Sequence, residues 1–227
     1  MPLIADRKDF VDPDTCCYRC VMNGNNRMLS SGVAFFLKHD DGIVHPYGPH
    51  CAAETLGGRD GLKGIPDFTA RDVDQPGGGE SGGGAGGSEV PVPQDAALRD
   101  AAIAKRYLLL RMEKVANIPG INPMVRYQPL QTIYQDFLRT GILEPADVTH
   151  ILAIERKVTT PTNLKTNNLL DVYTAETKLT RRIKESISPK DKSYLEGIRL
   201  WLREKLRLSA KQIASAKIKI HSSAFEN

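Results

Sequence analysis

Cys16, Cys17 and Cys20 stand together in the run CCYRC, and Cys51 follows in YGPHC, 31 positions after Cys20. A Cys-x2-Cys knuckle with a further thiol at a distance is a metal-ligand pattern, because thiolates bind zinc tightly and the two-residue spacer lets both sulfurs reach one ion. The expected ligands are Cys17, Cys20 and Cys51, with His50 as the fourth. His45 is an equally close alternative for that position, and His39, Glu54 and Cys16 are further ones. The competing interpretation is four reduced thiols with no metal. Zinc is the expected cofactor.

The elements needed to bring these residues together can be read around them. Gly32 to Leu37 (GVAFFL) and Ile43 to Tyr47 (IVHPY) read as two short strands, with His39, Asp40, Asp41 and Gly42 between them. Asp-Gly is a strong hairpin signal, since glycine accepts the positive φ that tight turns demand. Pro49 to Leu56 reads as a short helix ended by Gly57-Gly58. Knuckle, hairpin and a ligand at a helix N-terminus make a treble-clef-like zinc finger, where the helix end favours an anionic sulfur. Residues 1–74 are too few for a large core, so a metal staple is expected there.

Gln75 to Pro93 reads QPGGGESGGGAGGSEVPVP. Glycine offers nothing to bury and loses much entropy on ordering, so 75–94 is expected to be a flexible linker with a stiffer Pro-containing end. Beyond it the apolar spacing becomes helical, and 95–227 is expected to be a helical bundle. A first helix runs from an Asp95 N-cap to Asn117. A second starts at Pro129, burying Leu130, Ile133, Tyr134, Phe137 and Leu138, and ends at Gly141. A third starts near Pro145, and a fourth covers about Leu169 to Ile187. A fifth starts at Ser188-Pro189, with Leu195, Ile198, Leu202 and Leu206 on one face, and a last short helix is capped by Ser209. The fold class is therefore mainly α: a small hairpin-plus-helix finger joined by a Gly-rich linker to an α-helical bundle.

Charge is unevenly divided along the chain. The net charge is +4, yet residues 1–94 hold 8 Lys plus Arg against 13 Asp plus Glu, and residues 95–227 hold 23 against 14. The densest excess spans 156–219, with 16 basic and 6 acidic residues. Such concentration points to a polyanionic partner, the alternative being a solubilising face on the bundle. Arg199, Arg203 and Arg207 fall at i, i+4 and i+8 and are expected to form one exposed stripe, extended by Lys205 and Lys211. Lys178, Arg181, Arg182 and Lys184 form a second cluster. Guanidinium groups so spaced can bridge successive phosphates. Trp201, at the edge of the apolar face, reads as a core anchor.

No apolar run reaches the roughly 18 residues of a membrane span, and the first residues, MPLIADRKDF, lack a signal-peptide core. The expected location is the cytoplasm, where cysteines remain reduced. No phosphate-binding loop, Rossmann glycine pattern or nucleophile elbow is present, and the protein is expected not to be an enzyme. A treble-clef nuclease would need a second metal-binding histidine on the finger helix, and Ala52 to Gly58 offers none.

Cys17, Cys20 and the stretch Gly48-Pro49-His50-Cys51 resemble the small treble-clef fingers of phage and plasmid proteins, with Pro46 where those fingers carry a first glycine. Together with the tether and the basic helices they resemble the large subunit of type IV CRISPR effector complexes. That resemblance implies a non-catalytic subunit of an RNA-guided complex with roles in antiviral defense. It would contact the guide RNA 5′ handle, target-flanking DNA and other subunits of a ribonucleoprotein, with no membrane partner. The alternatives are a phage or plasmid zinc-finger DNA-binding regulator, and a protein-interaction adaptor.

Overall fold

The computed structural model describes residues 3–71 and 93–226, and the side chains of these except at 93–95. The glycine-rich stretch expected as a linker from 75 lies outside the described residues up to 92. The chain divides into two compact units, Met1–Ala70 and Arg71–Asn227.

The first unit is built on a three-stranded antiparallel sheet, ordered β1 (Ile4–Phe10), β2 (Val33–Lys38) and β3 (Val44–Tyr47). The period-two alternation of β2 supplies both faces. Ala34 and Phe36 pack with Cys17 and Leu29, whereas Phe35 and Leu37 pack with Tyr47 and Ala52. The β2–β3 turn holds Gly42 at φ 80°, and the Asp41 carboxylate accepts from the Ile43 N–H at 2.8 Å. The first strand is highly charged, IADRKDF, and gave no strand signal in the sequence. Its cations lie over the aromatic rings of β2, with Arg7 4.5 Å from the centre of Phe36 and Lys8 5.8 Å from that of Phe35. Lys8 also exchanges backbone hydrogen bonds with Pro66 and Phe68, which partly covers the outer edge of the strand.

Two short helices complete this unit. One is α1 (Tyr18–Met22), the other α2 (Pro49–Thr55), which starts with proline in its first turn and ends into Gly57 at φ 76°. The first of these was not expected from the sequence.

The second unit is helical among its described residues. It contains α3 (Pro93–Leu108), α4 (Gln128–Thr140), α5 (Pro145–Arg156), α6 (Thr166–Glu185), α7 (Pro189–Lys205) and α8 (Ala210–Ala216). Since α3 starts at Pro93, Asp95 lies inside its first turn instead of capping it. A π-helical turn, Leu109–Val115, continues α3, and the wider turn buries Leu109, Leu110, Arg111, Met112 and Val115. The core is completed by Leu169, Leu170, Val172, Ala175 and Leu179 of α6 and Leu195, Ile198 and Leu202 of α7. Ser188 caps α7 by accepting from the Asp191 N–H, and Ser209 and Gln212 form a reciprocal capping box on α8. The described residues are mainly helical, with one small sheet. No helix among the described residues is long and apolar enough to cross a membrane.

Candidate metal centre and cationic surface

Backbone hydrogen bonds shape the knuckle before any side chain is considered. The Cys17 N–H donates to the Arg27 carbonyl at 2.9 Å, and the Asn25 N–H donates to the Cys20 carbonyl at 2.8 Å. Gly24, at φ 74°, turns the chain between them. Cys17 thus precedes α1 and Cys20 sits within it, while Cys51 is the third residue of α2. The three sulfurs all lie within 4.8 Å of one another, and those of Cys20 and Cys51 are 3.7 Å apart. Cys17 is 1% exposed, and its sulfur accepts from the Gly48 N–H at 3.4 Å. Three converging thiols can hold a metal ion.

Electrostatics separates two of these thiols. Burial opposes ionisation of Cys17, but hydrogen bonds from the Gly48 and Cys20 backbone and from the neighbouring thiols bring it below the ordinary thiol range. Burial, followed by hydrogen bonding with Cys20 and Cys17 and by their charge, pushes Cys51 up to about 12. A nearby thiolate penalises a second negative charge, and a cation placed among the sulfurs removes that penalty.

His50 does not join the cluster. Its side chain is 78% exposed, and its Nε2 lies 3.2 Å from Glu54 Oε1. Neighbouring residues on a helix project about 100° apart, so with Cys51 turned inward His50 is turned out. Glu54 is also paired with Arg19. His45 stacks on Tyr18 at 3.9 Å, and His39 Nε2 shares a hydrogen bond of 2.8 Å with the Tyr47 hydroxyl. Cys16 is half-buried and pairs by backbone with Met28. Among the described residues the group consists of Cys17, Cys20 and Cys51.

The cationic residues separate into engaged and unengaged groups. Arg203 is not part of a free stripe: it is bound to Glu176 through Nε at 3.2 Å and through Nη2, with both side chains largely buried. Arg199 is half-buried, with its Nε lacking a partner. Arg207 is exposed, but Leu206 takes the left-handed conformation at φ 54° and ends α7, so Arg207 does not continue the helical spacing. The expected single stripe is broken for these two reasons.

On α6, Lys178 donates to the Lys219 carbonyl, and burial, then the charges of Arg181 and Lys219, lowers its pKa. Arg182 lies 3.8 Å from Glu185, while Arg181 is half-buried and Lys184 exposed. Lys211 is exposed on α8, and neither it nor Arg207 has a hydrogen-bond or ion-pair partner among the described residues.

Trp201 is 46% exposed and is not a core anchor. It lines a surface cavity of about 520 Å³ together with Lys205, Arg207, Ser209 and Gln212. The apolar face of α7 is carried by Leu195, Ile198 and Leu202, which leaves Trp201 beside it. Helical spacing located the residue at that edge but could not say whether another element would cover it.

No protein-family model, curated protein or solved structure matches this chain. The class defined by its own features is a mainly helical protein with a small three-stranded sheet and a three-cysteine cluster able to hold a metal ion.

Proposed function

We propose that this chain is a zinc-stapled, non-catalytic nucleic-acid-binding subunit of an RNA-guided effector complex. The observation that carries the nucleic-acid reading is the pair Arg207 and Lys211, exposed and without partners among the described residues. They sit in a segment, 156–219, whose basic residues outnumber its acidic ones 16 to 6. Cations left free of internal carboxylates are available to phosphates, and binding releases the counterions condensed on the polyanion.

Zinc is supported by the donor set. Three thiolates are soft ligands, and the 3.7 Å between the Cys20 and Cys51 sulfurs is close to the edge of about 3.8 Å expected for a tetrahedron with Zn–S bonds of about 2.3 Å. Cys17, Cys20 and Cys51 would hold the ion in a treble-clef-like finger, where it would crosslink the knuckle to α2 as a structural staple. The bundle would contact the 5′ handle of a guide RNA and the DNA flanking its target, and base pairing by the guide would supply sequence recognition.

The test is to purify the tagged full chain gently from its native host and sequence the RNA that accompanies it. A discrete small RNA with a constant 5′ end and a variable remainder is the expected result. Random background RNA, or none, would overturn the guide-complex reading in favour of a DNA-binding regulator or an adaptor. Salt separates those two, since phosphate binding weakens steeply with salt and an apolar protein interface does not.

A further inference from the structure

The cavity between the C-terminal part of α7 and the start of α8 combines an aromatic face, two cations and a hydrogen-bonding amide. Trp201 is the chain's single tryptophan and is 46% exposed. The Lys205 ammonium lies 5.7 Å from the centre of its ring and pairs with Glu204 Oε1 at 2.6 Å. Arg207 stands on the same cavity with no partner among the described residues. Gln212 uses its carboxamide oxygen to accept from the Ser209 N–H at 2.8 Å, which leaves its amide N–H groups to donate elsewhere. Tyr194, 52% exposed, lies seven residues before Trp201, about 10 Å along the same face of α7 at 1.5 Å per residue, and its hydroxyl is held by Ser215 at 2.8 Å.

We propose that this cavity is a nucleotide subsite for single-stranded nucleic acid: a base stacks on Trp201, and Arg207 neutralises the phosphate beside it. An exposed indole is costly in water, and a nucleobase covers it with a flat apolar face. Arg207 supplies the charge complementarity that selects a phosphate over a neutral partner. Duplex bases are already stacked on one another, so the site selects the single strand. Gln212 donates to the edge of the seated base, and Tyr194 offers a second aromatic face further along the strand. The proposal rests on the nucleic-acid reading above and deepens it from phosphate attraction to a defined base-binding position.

Trp201 fluorescence reads the site directly in the full chain. The probes are an oligothymidylate of about ten nucleotides, an abasic strand with the same number of phosphates, and a duplex of the same length. Quenching of Trp201 by the base-bearing strand, with little response to the abasic strand or duplex, is expected. Anisotropy of the labelled oligothymidylate should show Trp201→Ala weakening binding about 5- to 100-fold at unchanged salt slope, while Trp201→Phe stays close to wild type. Arg207→Gln should reduce the salt slope by about one.

Oligothymidylate binding that leaves Trp201 fluorescence unaltered, or that survives intact in Trp201→Ala, would overturn the subsite while leaving the nucleic-acid reading standing. Equal quenching by the abasic strand would overturn base stacking. Failure of the wild-type chain to bind any of the three probes at low salt would overturn both readings.

Discussion

Cys20 and Cys51 lie 31 residues apart in the chain, yet their sulfurs meet at 3.7 Å. The contact joins α1 to α2 across the β2–β3 hairpin and leaves Cys17 as the third donor. The small buried clusters on either side of β2 share Cys51 as a packing neighbour, so the candidate metal centre and the limited core of this unit are one structure.

Cys51→Ser should therefore abolish stoichiometric metal binding and unfold the unit Met1–Ala70. Metal analysis with far-UV circular dichroism would show metal lost and most helical signal kept, because helices α3 to α8 belong to the other unit. Cys16→Ser should keep the metal, since Cys16 lies outside the three-sulfur group. Collapse of the whole helical signal on metal removal would contradict separate folding of the two units.

Metal affinity should rise with pH. The Cys51 thiol, pushed up to about 12 by burial and by its thiol neighbours, carries its proton at neutral pH when no metal is bound. A cation must displace that proton, and each proton displaced changes the affinity about tenfold per pH unit, stronger binding lying at higher pH. Zinc titrations by calorimetry in buffers of different ionisation enthalpy should report proton release at pH 7.5. A heat independent of the buffer would contradict the assignment.

Two arginines expected from the sequence to act alike should behave differently. Arg203→Gln leaves Glu176 without its partner in a largely buried position and should destabilise the helical unit by about 3 kcal/mol in urea unfolding. Arg207→Gln should change stability by less than about 0.5 kcal/mol, because the side chain is exposed and unpaired among the described residues. Similar unfolding midpoints for the two variants would count against the distinction.

Arg111 should prove to be an interior brace. It is buried in the π-helical turn and donates to the Val125 carbonyl at 2.8 Å, the Tyr107 hydroxyl at 2.7 Å and the Met124 carbonyl at 3.2 Å. The Tyr107 hydroxyl in turn donates to the Leu164 carbonyl at 3.1 Å. Arg111→Leu should cost about 2–4 kcal/mol through the acceptors it strands. A double-mutant cycle with Tyr107→Phe should give less than the sum of the two single effects, because the pair share one bond. Strict additivity would show that the bond contributes nothing.

The sequence by itself determined the hairpin, the helix carrying Cys51 and the later helices. Those follow from local chemistry: an Asp-Gly turn, proline in a first helical turn, serine caps at Ser188 and Ser209, and apolar residues at helical spacing. It also singled out Cys17, Cys20 and Cys51, since ligand type and spacing are properties of the chain. The charged strand β1 escaped notice because its cations are sheltered by Phe35 and Phe36, which only the paired strand provides. Tertiary structure likewise decided that Arg203 meets Glu176 from another helix, that Leu206 ends α7 before Arg207, that His50 faces outward and that Trp201 stays uncovered. Periodicity assigns a residue to a face of its own helix, but a partner residue or an empty surface opposite that face depends on segments distant in sequence.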